Sequence, residues 1–234
     1  MYQLRHYQAR TVSEIAVLKR MNICDAVLAF NIEDEDMVNA LKKLNLPFIC
    51  CHHTKSLDAV SFCSTDNYYG GELAARALLE AGCTKPAYVT GYVGETPAHA
   101  ERMNGFLDVF GRHAVTVLEG DIGIDGGAAA GRRLAGLVHK GVADCIGVVN
   151  DLTAIGVIHA LTAAEITIPE QVSIVGYDNL PFTIALPFRL ATVDLFLNKI
   201  YARAVDLLIR SIRNGGVYRE VIKPVLVRGD SIKR

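Results

Sequence analysis

Residues 142–193 read V-A-D-C-I-G-V-V-N-D-L-T-A-I-G-V-I-H-A-L-T-A-A-E-I-T-I-P-E-Q-V-S-I-V-G-Y-D-N-L-P-F-T-I-A-L-P-F-R-L-A-T-V. The apolar run Cys145–Val149 stops abruptly at Asn150-Asp151. A helical pattern follows, with Ile155, Ile158 and Leu161 on one stripe. A turn at Ile168-Pro169 leads into a second apolar run, Val172–Gly176, which ends in Tyr177-Asp178-Asn179. Strand, helix, strand predicts a right-handed βαβ unit. Ligands of open parallel sheets sit beyond the carboxyl ends of the strands. Asn150 and Asp178 fall at two such ends. An amide and a carboxylate together offer donors and acceptors, which suits a hydroxyl-bearing ligand.

The same alternation extends outward. Tyr2–Tyr7 reads as a short strand and Ser13–Met21 as a helix with Ile15, Leu18 and Met21 at helical spacing. Cys24–Phe30 is a strand, and Glu33–Leu44 a helix with Met37, Val38, Leu41 and Leu44 inward. Its early acids suit the positive helix N-terminus. Pro47–Cys51 and Val60–Cys63 read as strands. Asn67–Ala81 is a helix closed by Gly82. Pro86–Gly91 opens a new set, with helices at Ala98–Gly111 and Gly126–Lys140 around a strand at Val115–Leu118. After the βαβ unit come a short extended stretch, Leu190–Val193, and a long helix, Leu197–Arg213, with Ile200, Ala204, Leu207 and Leu208 on one face. Gly215-Gly216 breaks it, and Val221–Val227 is a last strand. Strands alternating with helices throughout place the chain in the α/β class with parallel sheets.

Composition narrows the function. The 234 residues suffice for one large or two small domains, and half of them are apolar. With 24 basic and 25 acidic residues the net charge is −1, so the chain lacks the basic surface that neutralises many phosphates. No apolar run approaches the ~20 residues of a membrane span. Met1–His6 lacks the apolar core of a signal peptide. The six cysteines, Cys24, Cys50, Cys51, Cys63, Cys83 and Cys145, are scattered, most in strand-like runs where a thiol acts as a small hydrophobe. A reduced, cytoplasmic setting is expected.

Three phrases, V-V-N-D-x-x-A-x-G from Val148, I-P-E-Q-V-S-I-V-G-Y-D-N from Ile168 and P-x-x-L-A-T-V from Pro187, closely resemble the effector-binding module of the lactose-repressor/galactose-repressor (LacI/GalR) regulators. The resemblance runs from about Tyr2 to Ser231. It implies the periplasmic-binding-protein-like type I fold: two Rossmann-like parallel-sheet subdomains joined by a hinge that the chain crosses three times. Mapped here, the first subdomain contains 1–82 and 194–218, and the second 83–193 and 219–234. Ligand would be clamped between them. Two departures stand out. On the resemblance, the chain is expected to start at the module's second strand, without the first strand and helix of subdomain one or the helix-turn-helix before them. Family members also often carry a ligand-stacking aromatic where this chain has Gly120-Asp121-Ile122-Gly123. Ile122 stands in its place, which leaves two readings open: Tyr68, Tyr92 or Tyr177 compensates, or the ligand is not a sugar.

By the resemblance, Arg102, Asn150 and Asp178 contact ligand from subdomain two and Asp66 from subdomain one. An arginine fork holds two vicinal hydroxyls or a carboxylate, and the two aspartates accept from hydroxyl or amino groups. Each has a plainer role open to it. Asp66 precedes a helix and suits a cap. Arg102 has Glu101 and Asp108 nearby for a surface ion pair. Asn150 or Asp151 suits the cap of the next helix, a role we assign to Asp151. Asp178 suits the turn before Pro181. Leu73 and Leu78 are open as core or as a dimer surface.

Other motifs carry less. Cys50-Cys51-His52-His53 alternates faces on a strand, so the four do not surround one ion, and no second pair has zinc-like spacing. The remaining histidines, His6, His99, His113, His139 and His159, read as ordinary surface or helix positions. Gly126–Gly131 lacks the Lys-Ser/Thr of a P-loop and reads as a packed helix start. No G-x-S-x-G is present. Neither an enzyme, a metal nor a cofactor is expected. The expected function is effector sensing and homodimerisation in a LacI/GalR-type regulator, with a small polar effector, a sugar or derivative. Operator DNA would be contacted only through the missing helix-turn-helix, and no membrane is involved. The alternative is a stand-alone periplasmic-type sugar- or solute-binding protein, which would need export and which the lack of a signal-peptide pattern and the six cysteines argue against. The effector's identity, and whether it induces or co-represses, are not written in the sequence.

Overall fold

The computed structural model describes residues 11–30, 35–51, 60–92 and 97–234. The expected strand Tyr2–Tyr7, the helix start at Glu33, and His6, His52 and His53 lie outside those residues. The chain forms two compact units, 1–64 with 198–220 and 65–197 with 221–234, and passes between them three times.

The first unit contains α1 (Val12–Arg20), β1 (Val27–Phe30), α2 (Glu35–Lys43), β2 (Phe48–Cys51), β3 (Ser61–Thr65), α7 (Leu197–Asn214) and β9 (Arg219–Ile222), where β3, α7 and β9 reach the unit boundary. Its sheet runs β1-β2-β3-β9. The pairs β1/β2 and β2/β3 are parallel, with Val27 opposite Phe48 and Ile49 opposite Ser61. Val38, Leu41, Cys50 and Val60 are fully buried together, as the α2 periodicity predicts. α7 buries Ile200, Ala204, Leu207 and Leu208, the face read from sequence. Thr11 caps α1 by accepting from Glu14 N–H, yet α1 buries no residue completely and Met21 at its end is 63% exposed.

The second unit contains α3 (Asn67–Glu80), β4 (Pro86–Thr90), α4 (Pro97–Phe110), β5 (Thr116–Glu119), α5 (Gly123–His139), β6 (Cys145–Val148), α6 (Asp151–Ala163), β7 (Ser173–Tyr177), β8 (Ala191–Asp194) and β10 (Val225–Val227). Its sheet runs β10-β8-β7-β6-β4-β5, parallel except for the antiparallel edge strand β10. Both faces are covered, so its strands are apolar runs rather than alternating ones. Ala87, Val89, Ile146, Val148 and Ile174 pack under α5 and α6. Tyr88, Cys145, Val175 and Tyr177 face α3 and α4. The order reverses at β4, with β5 on one side and β6 on the other. That crevice is where open sheets of this kind take ligands.

Two differences from the sequence reading have clear causes. The expected strand Val221–Val227 is two strands in two sheets, because Pro224 has no N–H to continue a ladder. The helix Asn67–Glu80, grouped in sequence with residues 1–82, packs in the second unit. It lies against α4 through a reciprocal pair of glycines. A Cβ on Gly71 would stand 2.0 Å from the Arg102 carbonyl oxygen, and one on Gly105 2.0 Å from that of Tyr68. α5 and α6 meet in the same way through Gly127 and Gly156. The glycines that resembled a phosphate loop are therefore a helix crossing. Gly82 ends α3 at φ +80°, as expected of a helix terminator. Leu78 is fully buried in the core, and Leu73 is partly buried against it.

Candidate ligand-binding site

The site is built at the carboxyl ends of β4, β6 and β7, and Arg102 is its centre. Arg102 projects from α4 and is 7% exposed. Its Nε donates to Asn67 Oδ1 at 3.1 Å, and its Nη1 to the Val149 carbonyl at 2.9 Å. The same Nη1 lies 3.2 Å from Asp178 Oδ1. The guanidinium stacks 4.0 Å above the Tyr177 ring, whose hydroxyl donates to the Asn67 carbonyl at 3.3 Å. Three elements thus fix one fork. Among the described residues, nothing takes the Nη2 hydrogens or Asp178 Oδ2. The pair thus keeps two donors and an acceptor, the combination that vicinal hydroxyls match.

The surface-pair role for Arg102 is excluded. Asp108 instead binds Arg112 and accepts from Tyr68. Asp178 adopts φ 105°, a strained backbone for a side-chain-bearing residue, which the Asp178 N–H bond to the Val193 carbonyl helps hold. Burial pushes its carboxyl up, against the pull of the Arg102 charge and hydrogen bond.

The other expected residues are helix caps in this structure. Asp66 accepts from Tyr69 N–H at 3.0 Å, and Asn150 from Thr153 N–H at 2.9 Å. Asn150 keeps its amide nitrogen clear of bonds among the described residues, on the strand end next to Val149. The capping role assigned to Asp151 is therefore wrong. Asp151 is fully buried, accepting from Leu180 N–H at 2.8 Å and from the Thr192 hydroxyl at 2.7 Å. It ties the loop after β7, which carries Asp178, to β8.

Burial above all raises the Asp151 carboxyl to about 7, against the pull of its hydrogen bonds. A carboxyl raised by folding contributes stability that is full below its ordinary value of 3.8 and is lost as pH rises through about 7. Asparagine imitates the neutral form. Asp151→Asn is therefore expected to gain stability relative to the wild type as pH rises across that window, by on the order of a few kcal/mol. Paired denaturant titrations check this, and a pH-independent difference would contradict it.

Three residues differ from their sequence reading. Asn67 is 4% exposed and orients Arg102, yet its place beside the Asp66 cap disguises it. His99 sits one turn before Arg102, its Nδ1 3.5 Å from where a Gly91 Cβ would stand at the end of β4. Burial and then the Arg102 charge push it down to about 4, so it is neutral at ordinary pH. Tyr177 is 2% exposed beneath Arg102 and cannot stack on a ligand. Ile122 and Tyr92 remain about half exposed, and Ile122 Cγ2 comes within 3.2 Å of the same Gly91 position. Gly123 N–H donates to Thr153 Oγ1, which fastens the Ile122 loop to α6. A surface groove of about 520 Å³ in the first unit is lined by Lys19, Arg20 and Lys43 with Ser13 and Asn22, and among the described residues has no carboxylate beside its cations.

Comparison with known proteins decides the family. The periplasmic binding protein-like domain matches residues 75–232. The chain belongs to the periplasmic binding protein-like domain family. Its relatives are the LacI/GalR regulators, in agreement with the phrases around Asn150 and Asp178. The ribose operon repressor of Escherichia coli is 28% identical over 169 residues, covering 69% of this chain and 50% of the repressor. The sucrose operon repressor of Streptococcus mutans is 26% identical over 196 residues, covering 83% of this chain and 60% of that protein. The chain thus spans about half to three-fifths of these curated relatives. A LacI family transcriptional regulator from Enterococcus faecalis, solved with bound ribose, superimposes with a TM-score of 0.82 at 23% identity. That match covers 97% of this chain and 84% of the other, and shows the shared fold. These relatives are repressors and regulators, not enzymes. Among the described residues, no helix is long and apolar enough to cross a membrane.

Proposed function

We propose that this chain is the effector-sensing and dimerisation part of a LacI/GalR-type transcriptional regulator, working in the cytoplasm on a sugar or sugar derivative. The observation that carries the reading is the Arg102–Asp178 pair, held at the carboxyl ends of β6 and β7 with donors and an acceptor to spare. Arg102 and Asp178 hold vicinal hydroxyls, and the Asn150 amide donates to a further oxygen. The exposed faces of Ile122 and Tyr92 cover the apolar side of the ring. Asp66 holds the start of α3, and with it Asn67, in register with Arg102. The ligand shifts the equilibrium between two states of the chain by its differential affinity for them. Operator DNA is read by the portion of such regulators that this chain does not span.

The names of the relatives support a sugar without choosing one, since ribose and sucrose repressors both match. Thermal unfolding with ribose, sucrose, other sugars, nucleobases and amino acids tests the reading. A ligand of the native state stabilises by ~2.7 kcal/mol at a hundredfold excess over its dissociation constant. A selective rise with a sugar is the expected result. A rise with nucleobases or amino acids alone would contradict a sugar effector.

A further inference from the structure

Among the described residues, Cys83, Asp144 and Cys145 are the group of ligand-capable side chains whose reactive atoms all lie within 4.8 Å of one another. They sit at the amino edge of the second unit's sheet, the end opposite Asn150 and Asp178. Cys83 follows Gly82 at the end of α3, and Cys145 opens β6. Both thiols are free and buried, Cys83 at 3% exposure.

We propose that Cys83 and Cys145 are a redox-active dithiol that closes into an intramolecular disulfide when a peroxide reaches it. The geometry favours a sulfur–sulfur bond over a metal. The Asp144 carboxylate is already occupied by Thr84 N–H, Lys85 N–H and the Thr84 hydroxyl. Two thiolates remain, short of the four ligands of a structural zinc site. The Lys233 cation is also close enough to act on Cys83, which further disfavours a second cation.

The two sulfurs have different parts to play. Cys83 is lowered by a hydrogen bond from the Cys145 thiol, with Ser173 and Lys233 assisting against burial and the Asp144 charge. Cys145 is raised, first by that hydrogen bond and then by burial. Cys83 is also the one of the two with any exposed surface, 3% against 0%, so it is the thiolate that attacks. Its sulfur bonds to one peroxide oxygen, the O–O bond breaks, and the departing hydroxide takes up a proton as water. Cys83 is now a sulfenic acid. The Cys145 sulfur attacks it, the S–S bond forms, the S–O bond breaks, and the oxygen leaves as water with the Cys145 proton. Two thiols are oxidised and one peroxide is reduced to two waters.

The first unit supplies an internal contrast. Cys51 and Cys63 stand directly opposite each other on β2 and β3. Burial first, then the neighbouring thiols, pushes Cys51 up to about 12. Burial chiefly pushes Cys63 up to about 11. Adjacent, un-ionised and with both residues 0% exposed, that pair is expected to stay reduced.

Hydrogen peroxide treatment of the folded chain, followed by non-reducing peptide mapping and intact mass, tests this. The expected result is loss of two hydrogens, a Cys83–Cys145 linkage, and two fewer titratable thiols than the six cysteines present. Thiol reductant should reverse it. Cys145→Ser should leave Cys83 as a sulfenic acid that dimedone traps, and Cys83→Ser should leave Cys145 reduced. A Cys51–Cys63 bridge in the wild type, oxidation of Cys83 to sulfinic acid with Cys145 untouched, no reaction of the folded chain, or stoichiometric zinc held by the two thiols would each overturn the proposal.

Discussion

Arg102→Ala is expected to cost the second unit about 3–5 kcal/mol and to abolish effector binding. The loss comes from what is left behind. Asp178 keeps a buried carboxylate without its cation, and the Val149 carbonyl and Asn67 Oδ1 lose their donors. Against a total stability of ~5–15 kcal/mol, that moves a denaturation midpoint far. Arg102→Ala combined with Asp178→Asn should be less damaging than Arg102→Ala alone, since the orphaned charge is gone. Arg102→Lys separates folding from recognition: it restores a charge beside Asp178 but not the planar fork. It should fold better than the alanine variant and still bind at least about tenfold more weakly than wild type, a difference of about 1.4 kcal/mol. Denaturant titrations and equilibrium binding on the same preparations check both halves.

Gly105→Val is expected to be comparably severe without touching a polar group. The added Cβ would meet the Tyr68 carbonyl at 2.0 Å, and that neighbour is backbone. α4 must lift from α3 to make room, at a cost on the order of 3 kcal/mol. α3 carries Asn67 and α4 carries Arg102, so affinity should fall along with stability. Gly136→Ala is the matched control. It lies in α5 with nothing within 4 Å of the new Cβ, and should stabilise slightly through helix propensity. Equal effects from the two substitutions would contradict the close helix crossing.

Apolar runs are the most legible part of the chain. Val172–Gly176 is unbroken because β7 is covered on both faces, and its abrupt end marks the carboxyl edge where Asp178 stands. The face of α7 is legible for the related reason that a one-sided helix must display its period. Partnership is not legible. Gly71 and Gly105 are visible as glycines, but only the fold pairs them, and without that pairing α3 reads as a continuation of the residues before it. Asn67 is hidden by Asp66, whose capping signal is local, whereas Asn67's role depends on Arg102, 35 positions away. Asp151 misleads for the same reason. Two polar residues at a strand end both look like caps, and only the arrival of Leu180 and Thr192 makes one of them an interior acceptor.

The most direct measurement is a calorimetric titration of the sugar giving the largest rise in melting temperature, into the wild-type chain and into Asp178→Asn. The substitution keeps the size of the side chain and removes the charge that faces Arg102 and that, in the proposed site, a ligand hydroxyl would share. The account predicts saturable binding to the wild type and at least about tenfold weaker binding to a variant that still unfolds cooperatively. Equal affinity in the two proteins would contradict the placement of the effector at the Arg102–Asp178 pair.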